Sequence, residues 1–236
     1  MNILLVAATP AEIEPLISTI KIDYDKPATV GNHILTTLIT GVGMVATAYA
    51  LGRHLAKNQY DLAINAGIAG TFDFNIAPGD VVLITEDIFA EQGAEDGEDF
   101  ISLQTLGYGE ISHFPNDKIL QPASNVSNIA NSIALKKLKN VKAITVNTVH
   151  GHELSIAKTL LRFDAQVESM EGAAFFYACN KSNTPCIQIR SISNYVERRN
   201  MDNWNIALAI KNLNNQLVEL LTSQFVNFTI PSPDSA

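Results

Sequence analysis

Cysteine is nearly absent: the 236 residues hold only Cys179 and Cys186. Both stand in apolar company, in "FFYACN" and "PCIQI". No disulfide framework is available, and both read as reduced residues packed as small hydrophobes. Basic residues are scarce too. Sixteen Lys and Arg face 24 Asp and Glu, for a formal net charge of -8. A duplex nucleic-acid binder needs a basic face, so that class is excluded. No apolar run reaches the roughly 18 residues of a membrane span. The opening "MNILLVAATP" is too short and uncharged for a secretory signal and reads as a first strand. At 47% hydrophobic and 17% charged, the composition suits one soluble α/β domain with a sizeable core, expected in the cytoplasm.

What is present alternates. Strand candidates are "NILLVAA", "HILTTLIT", "DLAINAG", "GDVVLITED", "KAITVNTV", "DAQVESM" and "PCIQIRSIS". Helix candidates are "AEIEPLISTI", "VATAYALGRHLAKN", "NIANSIALKKLK", "ELSIAKTLLRF", "EGAAFFYACNKS" and "WNIALAIKNLNNQLVELLTSQF". The strands are continuous apolar runs, covered on both faces. The alternation predicts a single α/β domain, a three-layer sandwich with a parallel or mixed sheet. The domain is expected over 1–228, with a disordered tail over 229–236. Ligands in such sheets bind beyond the carboxyl ends of the strands, so the chemistry is sought there.

The first strand runs into "AATPAEIEPL". Glu12 and Glu14 are either acids placed at a helix N-terminus or, for Glu12, a base facing a cleft. "TGVGMVATA" has the outline of a dinucleotide-binding turn. The acid required about 20 residues on is missing from the end of the next strand, "DLAINAG", which disfavours a nicotinamide cofactor. Gly67 and Gly70 in "NAGIAGTF" bring backbone close to a ligand or simply turn the chain. His150 and His152 have no matching Cys/Asp/His cluster, so no metal is expected. Arg190 and Asn194 enter polar positions straight from "PCIQI". Arg198 and Arg199 read most simply as solvated charges. One stretch remains unexplained: in "VESMEGAAFFYACN" Glu168 and Glu171 stand three residues apart, where a strand turns into an apolar helix. A carboxylate in that company requires a partner.

Taken in order, "VAATPAEIEPL", "TGVGMVATA", "NAGIAG", "APGDVVLI", "VESMEGAA" and "RSISN" resemble the nucleoside phosphorylase and nucleosidase superfamily. "VESMEGAAF", "VNTVHG", "EQGAED" and "SISNYVERRNMDNW" look most like its futalosine hydrolases, relatives of methylthioadenosine/adenosylhomocysteine nucleosidase. The resemblance implies a twisted mixed β-sheet flanked by helices and a homo-oligomer. It implies release of hypoxanthine from futalosine on the route to menaquinone, with a nucleoside and water as partners and no cofactor. It makes Glu171 the acceptor of ribose hydroxyls, beside Met170, and Glu12 the base that holds water. Val149, His150, Ser169 and Gly67 are counted as substrate contacts. Glu168 is left structural, because Ser169 separates it from Met170.

Asn194 stands where the methylthioadenosine enzymes carry an aspartate. A 6-oxopurine shows two acceptors, O6 and N7, which suit the NH₂ of an amide. An amide hands over no proton, so solvent or a neighbour must protonate the leaving base. The resemblance also places an anionic aromatic 5′ group on the substrate. Tyr195 and Trp204 are expected at its ring, Arg198 or Arg199 at its carboxylate. The early loops "AATPAEIE" and "NAGIAGTF" hold no arginine for phosphate, which favours water over phosphate as nucleophile. The alternatives are a purine nucleoside phosphorylase, a methylthioadenosine-type nucleosidase and, from another class, a non-catalytic purine-nucleoside sensor.

Overall fold

A computed structural model describes residues 1–24, 26–103, 105–108 and 133–222. The elements run β1 (Asn2–Ala7), α1 (Pro10–Ile20), β2 (Ala28–Val30), β3 (His33–Ile39), α2 (Met44–Leu55), β4 (Leu62–Thr71) and β5 (Val81–Phe89). They continue with β6 (Gly93–Asp96), β7 (Asp99–Ser102), α3 (Ile133–Lys136), β8 (Lys139–Thr145), α4 (Glu153–Arg162) and β9 (Val167–Ser169). Last come α5 (Gly172–Lys181), β10 (Cys186–Tyr195), a 3₁₀ turn (Met201–Asn203) and α6 (Ile206–Thr222).

β1 shows how the layers arise. Ile3 through Ala7 are all fully buried. Successive strand side chains point to opposite faces, so Ile3, Leu5 and Ala7 enter one apolar cluster and Leu4 and Val6 the other. The first cluster holds Ile13 and Leu16 of α1 with Leu213 and Leu217 of α6. The second holds Leu51 of α2 with Phe175 and Phe176 of α5. Helices therefore cover both faces, as continuous apolar strands require.

Eight strands form one mixed sheet in the order β10-β5-β8-β9-β4-β1-β3-β2, and β10 also pairs with β4. That extra pairing closes β4, β10, β5, β8 and β9 into a ring, with β1, β3 and β2 as an open wing. The sandwich is thus layered at the wing and curled shut at the other end. β10 lies parallel to β4 and antiparallel to β5. Its register against β4 shifts between Ile192 and Asn194, at the point where the polar residues emerge.

Boundaries differ from the sequence reading in three places. "NAGIAG" is not a turn: β4 continues to Thr71, because β10 runs beside it from Ala63 to Thr71. β8 begins at Lys139 rather than at Lys142, held from its first residue by β5. The acidic hairpin β6–β7 was not expected, since "GAEDGEDF" lacks apolar alternation. Of the helix expected over "NIANSIALKKLK", Ile133–Lys136 is helical and the part before it lies outside the described residues. So does the expected tail over 229–236.

Candidate active site

A cavity of about 360 Å³ opens where the carboxyl ends of the strands converge. Its volume falls within the roughly 300–1,000 Å³ of small-molecule sites. Its walls come from the first turn of α1, the loop after β3, Ile68–Gly70 of β4, Glu168–Glu171 around β9, Ser193 and Asn194 of β10, and the start of α6. Glu12, Glu171, Asn194, Val149, His150, Ser169, Met170, Arg199 and Trp204 all line it.

Glu12 owes its position to its own helix start. Thr9 is the N-cap, Pro10 the first helical residue, and Glu12 reaches back to the cap. Its Oε2 accepts from the Thr9 N–H at 2.9 Å and the Thr9 hydroxyl at 3.2 Å. Its Oε1 accepts from the Ile68 N–H of β4 at 3.2 Å. The carboxylate is 7% exposed. Burial pushes its pKa up, opposed by the Arg190 charge and the two backbone N–H groups and helped by the Glu171 charge. Both readings of Glu12 are therefore present in one residue: it caps a helix, and it is a carboxylate with raised proton affinity facing a cavity.

Glu171 is the N-cap of α5. Its Oε1 accepts from the Gly43 N–H at 3.0 Å, and its Oε2 from Arg190 Nη1 at 3.3 Å. Gly43 has φ of 96°, a conformation that favours glycine. The partner that a semi-buried Glu171 demands is thus Arg190, which is 1% exposed. Its guanidinium also donates to Gln188 Oε1 at 2.9 Å, Asn65 Oδ1 at 2.5 Å and the Ile68 carbonyl at 3.4 Å. Behind it, Gln188 Nε2 donates to Asp87 at 3.0 Å and the Thr145 hydroxyl donates to the same carboxylate at 2.9 Å. A carboxylate only accepts, so it turns the Gln188 amide nitrogen toward itself and leaves Oε1 for Arg190. Complete burial pushes the Asp87 pKa up to about 6, against the hydrogen bonds from Gln188 and Thr145 and the Arg190 charge. Gly172 is required here, because a Cβ would lie 2.1 Å from Asp87 Oδ2 and 2.2 Å from Gln188 Oε1.

Asn194 is 9% exposed. Its Nδ2 donates to the Tyr195 carbonyl at 2.8 Å, and its Oδ1 accepts from the Ser193 hydroxyl at 2.6 Å. A carbonyl only accepts, which fixes the amide orientation and leaves Nδ2 a second proton. Glu168 has its own partner. Its two oxygens take the His150 N–H at 3.0 Å and His150 Nδ1 at 2.6 Å, while Nε2 meets the Thr159 hydroxyl at 2.8 Å. The carboxylate places the His150 proton on Nδ1. Arg199 lies 4.8 Å over the Trp204 ring.

Three expected contacts fall elsewhere. Gly67 does not line the cavity: a Cβ there would lie 2.4 Å from Arg190 Nη1 and 2.8 Å from Glu12 Oε1. Its small size admits a guanidinium rather than a ligand. Arg198 is exposed outside the walls. Tyr195 turns away to pack on Phe74, at 5.0 Å between ring centres. Sequence reasoning marked Arg190 as a polar entry but missed its ion pair, as well as Asp87, Gln188 and Gly43. An arginine inside "CIQIRSIS" signals a buried cation, and such a cation needs acidic partners; nothing local says which.

Comparison with known proteins gives a consistent picture. A futalosine hydrolase of Thermus thermophilus is 29% identical over 187 residues, 79% of this chain and 81% of that protein. A 5′-methylthioadenosine/S-adenosylhomocysteine nucleosidase of Colwellia psychrerythraea is 30% identical over 165 residues, 65% of this chain and 64% of that protein. The crystal structure of such a nucleosidase from Colwellia psychrerythraea, in complex with adenine, superposes with a TM-score of 0.74 at 25% identity, covering 94% of each chain. The family model described as the phosphorylase superfamily matches residues 2–222, and the chain belongs to that superfamily.

Proposed function

We propose that this chain hydrolyses the N-ribosidic bond of a 6-oxopurine nucleoside, with futalosine as the substrate and menaquinone synthesis as the setting. The observation that carries the reading is the pairing of two cavity carboxylates, Glu12 and Glu171, around one buried arginine, with the Asn194 amide in the same cavity. Glu171 keeps acceptor capacity for the ribose 2′- and 3′-hydroxyls beyond its bonds to Gly43 and Arg190. Met170 lies beside the sugar. Glu12 holds the attacking water. As the C1′–N9 bond breaks, positive charge builds on the sugar; Glu12 takes the water's proton, the water oxygen bonds C1′, and the bonding pair leaves with the purine. A proton from solvent completes the free base, since Asn194 has none to give.

Base choice follows from Asn194. The free Nδ2 proton meets an acceptor on hypoxanthine, whereas adenine presents a donor at its amino group. A 5′-methylthioadenosine-type activity is the second reading, favoured by the Colwellia relative at 30% identity; the amide weighs against it. Water is preferred to phosphate because the charged lining consists of Glu12, Glu168, Glu171 and Arg199, a set that repels a polyanion. Four N–H bonds of Arg190 are already engaged within the protein. The 5′ end of the substrate, an aromatic carboxylate, lies against Trp204 with its charge at Arg199. A homo-oligomer is supported by three exposed hydrophobic side chains close in sequence, Val42 at the cavity and Val45 and Tyr49 on α2, 57%, 77% and 65% accessible. No helix among the described residues is long and apolar enough to cross a membrane.

The test is to incubate the protein with futalosine, inosine and methylthioadenosine, with and without phosphate, and to assay the free base. Hypoxanthine released from futalosine at a phosphate-independent rate is expected. Strict phosphate dependence, or faster release of adenine than of hypoxanthine, overturns the reading.

A further inference from the structure

The helix that carries Glu12 contains a proline, and the backbone beside it is bonded by a side chain from the far end of the chain. Pro15 sits inside α1, where it supplies no N–H to the helix ladder. One residue on, the Leu16 N–H donates to Asn214 Oδ1 at 2.9 Å. Asn214 Nδ2 in turn donates to the Glu12 carbonyl at 2.8 Å and to the Ile210 carbonyl at 2.7 Å. Leu16 N–H and Glu12 C=O are the donor and acceptor that an uninterrupted α-helix pairs with each other. The amide of Asn214 bridges that pair. Its orientation is unambiguous, because a backbone N–H only donates and a carbonyl only accepts.

Asn214 is 4% exposed and is the polar exception among the buried residues of α6, which are otherwise Ala209, Leu213, Leu217, Leu220 and Leu221. An apolar side chain would serve adhesion between α1 and α6 equally well, without the cost of burying an amide. What an apolar residue cannot do is hold the Glu12 backbone. The other end of Glu12 is already held by Thr9 and Ile68, so Asn214 completes a clamp on both the main chain and the carboxylate. The same amide ties Glu12 to Ile210, which with Ile206 forms a wall of the cavity.

We propose that Asn214 is a positioning residue for Glu12: its amide, bridging the Glu12 carbonyl and the Leu16 N–H, sets how the first turn of α1 presents the carboxylate to the cavity. The assignment rests on Glu12 being the base of the proposed hydrolysis. Replacing the amide by an apolar isostere, Asn214→Leu, removes the bonds to the Glu12 carbonyl and the Leu16 N–H and frees the turn to shift from its present place.

The test compares wild type with Asn214→Leu and the milder Asn214→Ser on futalosine. It also follows the Glu12 carboxyl by carbon-detected NMR titration in the ligand-free protein. A displacement of about 1 Å is worth on the order of 10²-fold. The expected result is therefore a kcat reduced about 10- to 100-fold with KM changed by less than about threefold. The acid limb of kcat and the Glu12 titration should move together. A side chain that serves only packing would lower Tm and leave all three unchanged, and that outcome in the variant that folds overturns the proposal. If the wild type cleaves no nucleoside, the functional reading fails. The Glu12 titration then decides this one alone: an unmoved midpoint in both variants refutes it.

Discussion

Substituting Gly67 by alanine adds one methyl group between the Arg190 guanidinium and the Glu12 carboxylate. The new Cβ would sit 2.4 Å from Arg190 Nη1 and 2.8 Å from Glu12 Oε1, where unstrained contacts need about 3.5 Å. Something must retreat by about 1 Å. Arg190 has little freedom, because Gln188, Asn65, Ile68 and Glu171 all hold its guanidinium. Glu12 is pinned by Thr9 and Ile68. Overpacking of this kind costs about 1–3 kcal/mol. Full loss of the Arg190–Glu171 pair would raise that to about 3–5 kcal/mol. For a chain of this size the lower range lowers Tm by about 2–12 °C. The rate suffers more, since a shift of about 1 Å in catalytic geometry costs on the order of 10²-fold. Steady-state kinetics on futalosine and thermal melting by circular dichroism read the two effects. Gly52→Ala in α2 is the control, since a Cβ there meets nothing within 4 Å. Gly67→Ala with wild-type kcat and Tm would show that the guanidinium is not held in place by Gln188, Asn65, Ile68 and Glu171.

Glu12→Gln and Glu171→Gln should each lower kcat on futalosine by about 10²–10⁴-fold with the fold retained by circular dichroism; near-normal turnover removes that residue from the mechanism. Because burial raises the Glu12 pKa above its ordinary 4.5 and the proposed base must be ionised to act, kcat should fall as pH drops through that raised value, and Glu12→Gln should abolish this limb. Asn194→Asp should shift kcat/KM from inosine toward adenosine, and an unchanged ratio refutes the base-reading role. Arg199→Ala should lose kcat/KM on futalosine selectively over inosine, which lacks the carboxylate, by about 1.5–3 kcal/mol if the hydrogen bond is charge-assisted. Asp87 binds its proton more tightly folded, near 6, than at the ordinary 3.8. Its ionisation therefore opposes folding, and the stability of wild type relative to Asp87→Asn should decline by about 2 kcal/mol as pH rises from about 4 to 7; denaturant melts that keep a constant difference across this range would contradict it.

The layered part of the fold was legible because local pattern and burial agree there. β1 is apolar at every residue from Ile3 because both its faces are covered; α1 and α5 were found within a residue, while α2 stops at Leu55, three residues short of the expected run. The ring was not legible. It depends on β10 pairing with both β4 and β5, a long-range choice that leaves no periodic trace. "NAGIAG" reads as a turn because glycine usually breaks strands; here the glycines keep the strand going past Arg190, Asn194 and Val196, whose side chains take up the space. In the site, Glu12, Glu171 and Asn194 were singled out by motif. Arg190, Asp87 and Asn214 were not, since each acts through partners 19 to 202 positions away. Glu168 was left structural, and its partner His150 was sought as a ligand contact in its own right.

Closure by β10 has a consequence for how the chain reaches its native state. β10 brings Arg190 and Asn194, and it joins β4 and β5 more than a hundred residues upstream. Contacts of such sequence separation form slowly, and until they form β4 and β5 present open edges, the surfaces on which strands of other chains pair. Asn214 and the wall residues of α6 arrive later still in synthesis. No N-terminal portion of the domain can assemble a working site, so the appearance of nucleosidase activity during refolding should coincide with the slowest phase, and turnover serves as a direct clock for completion of the ring.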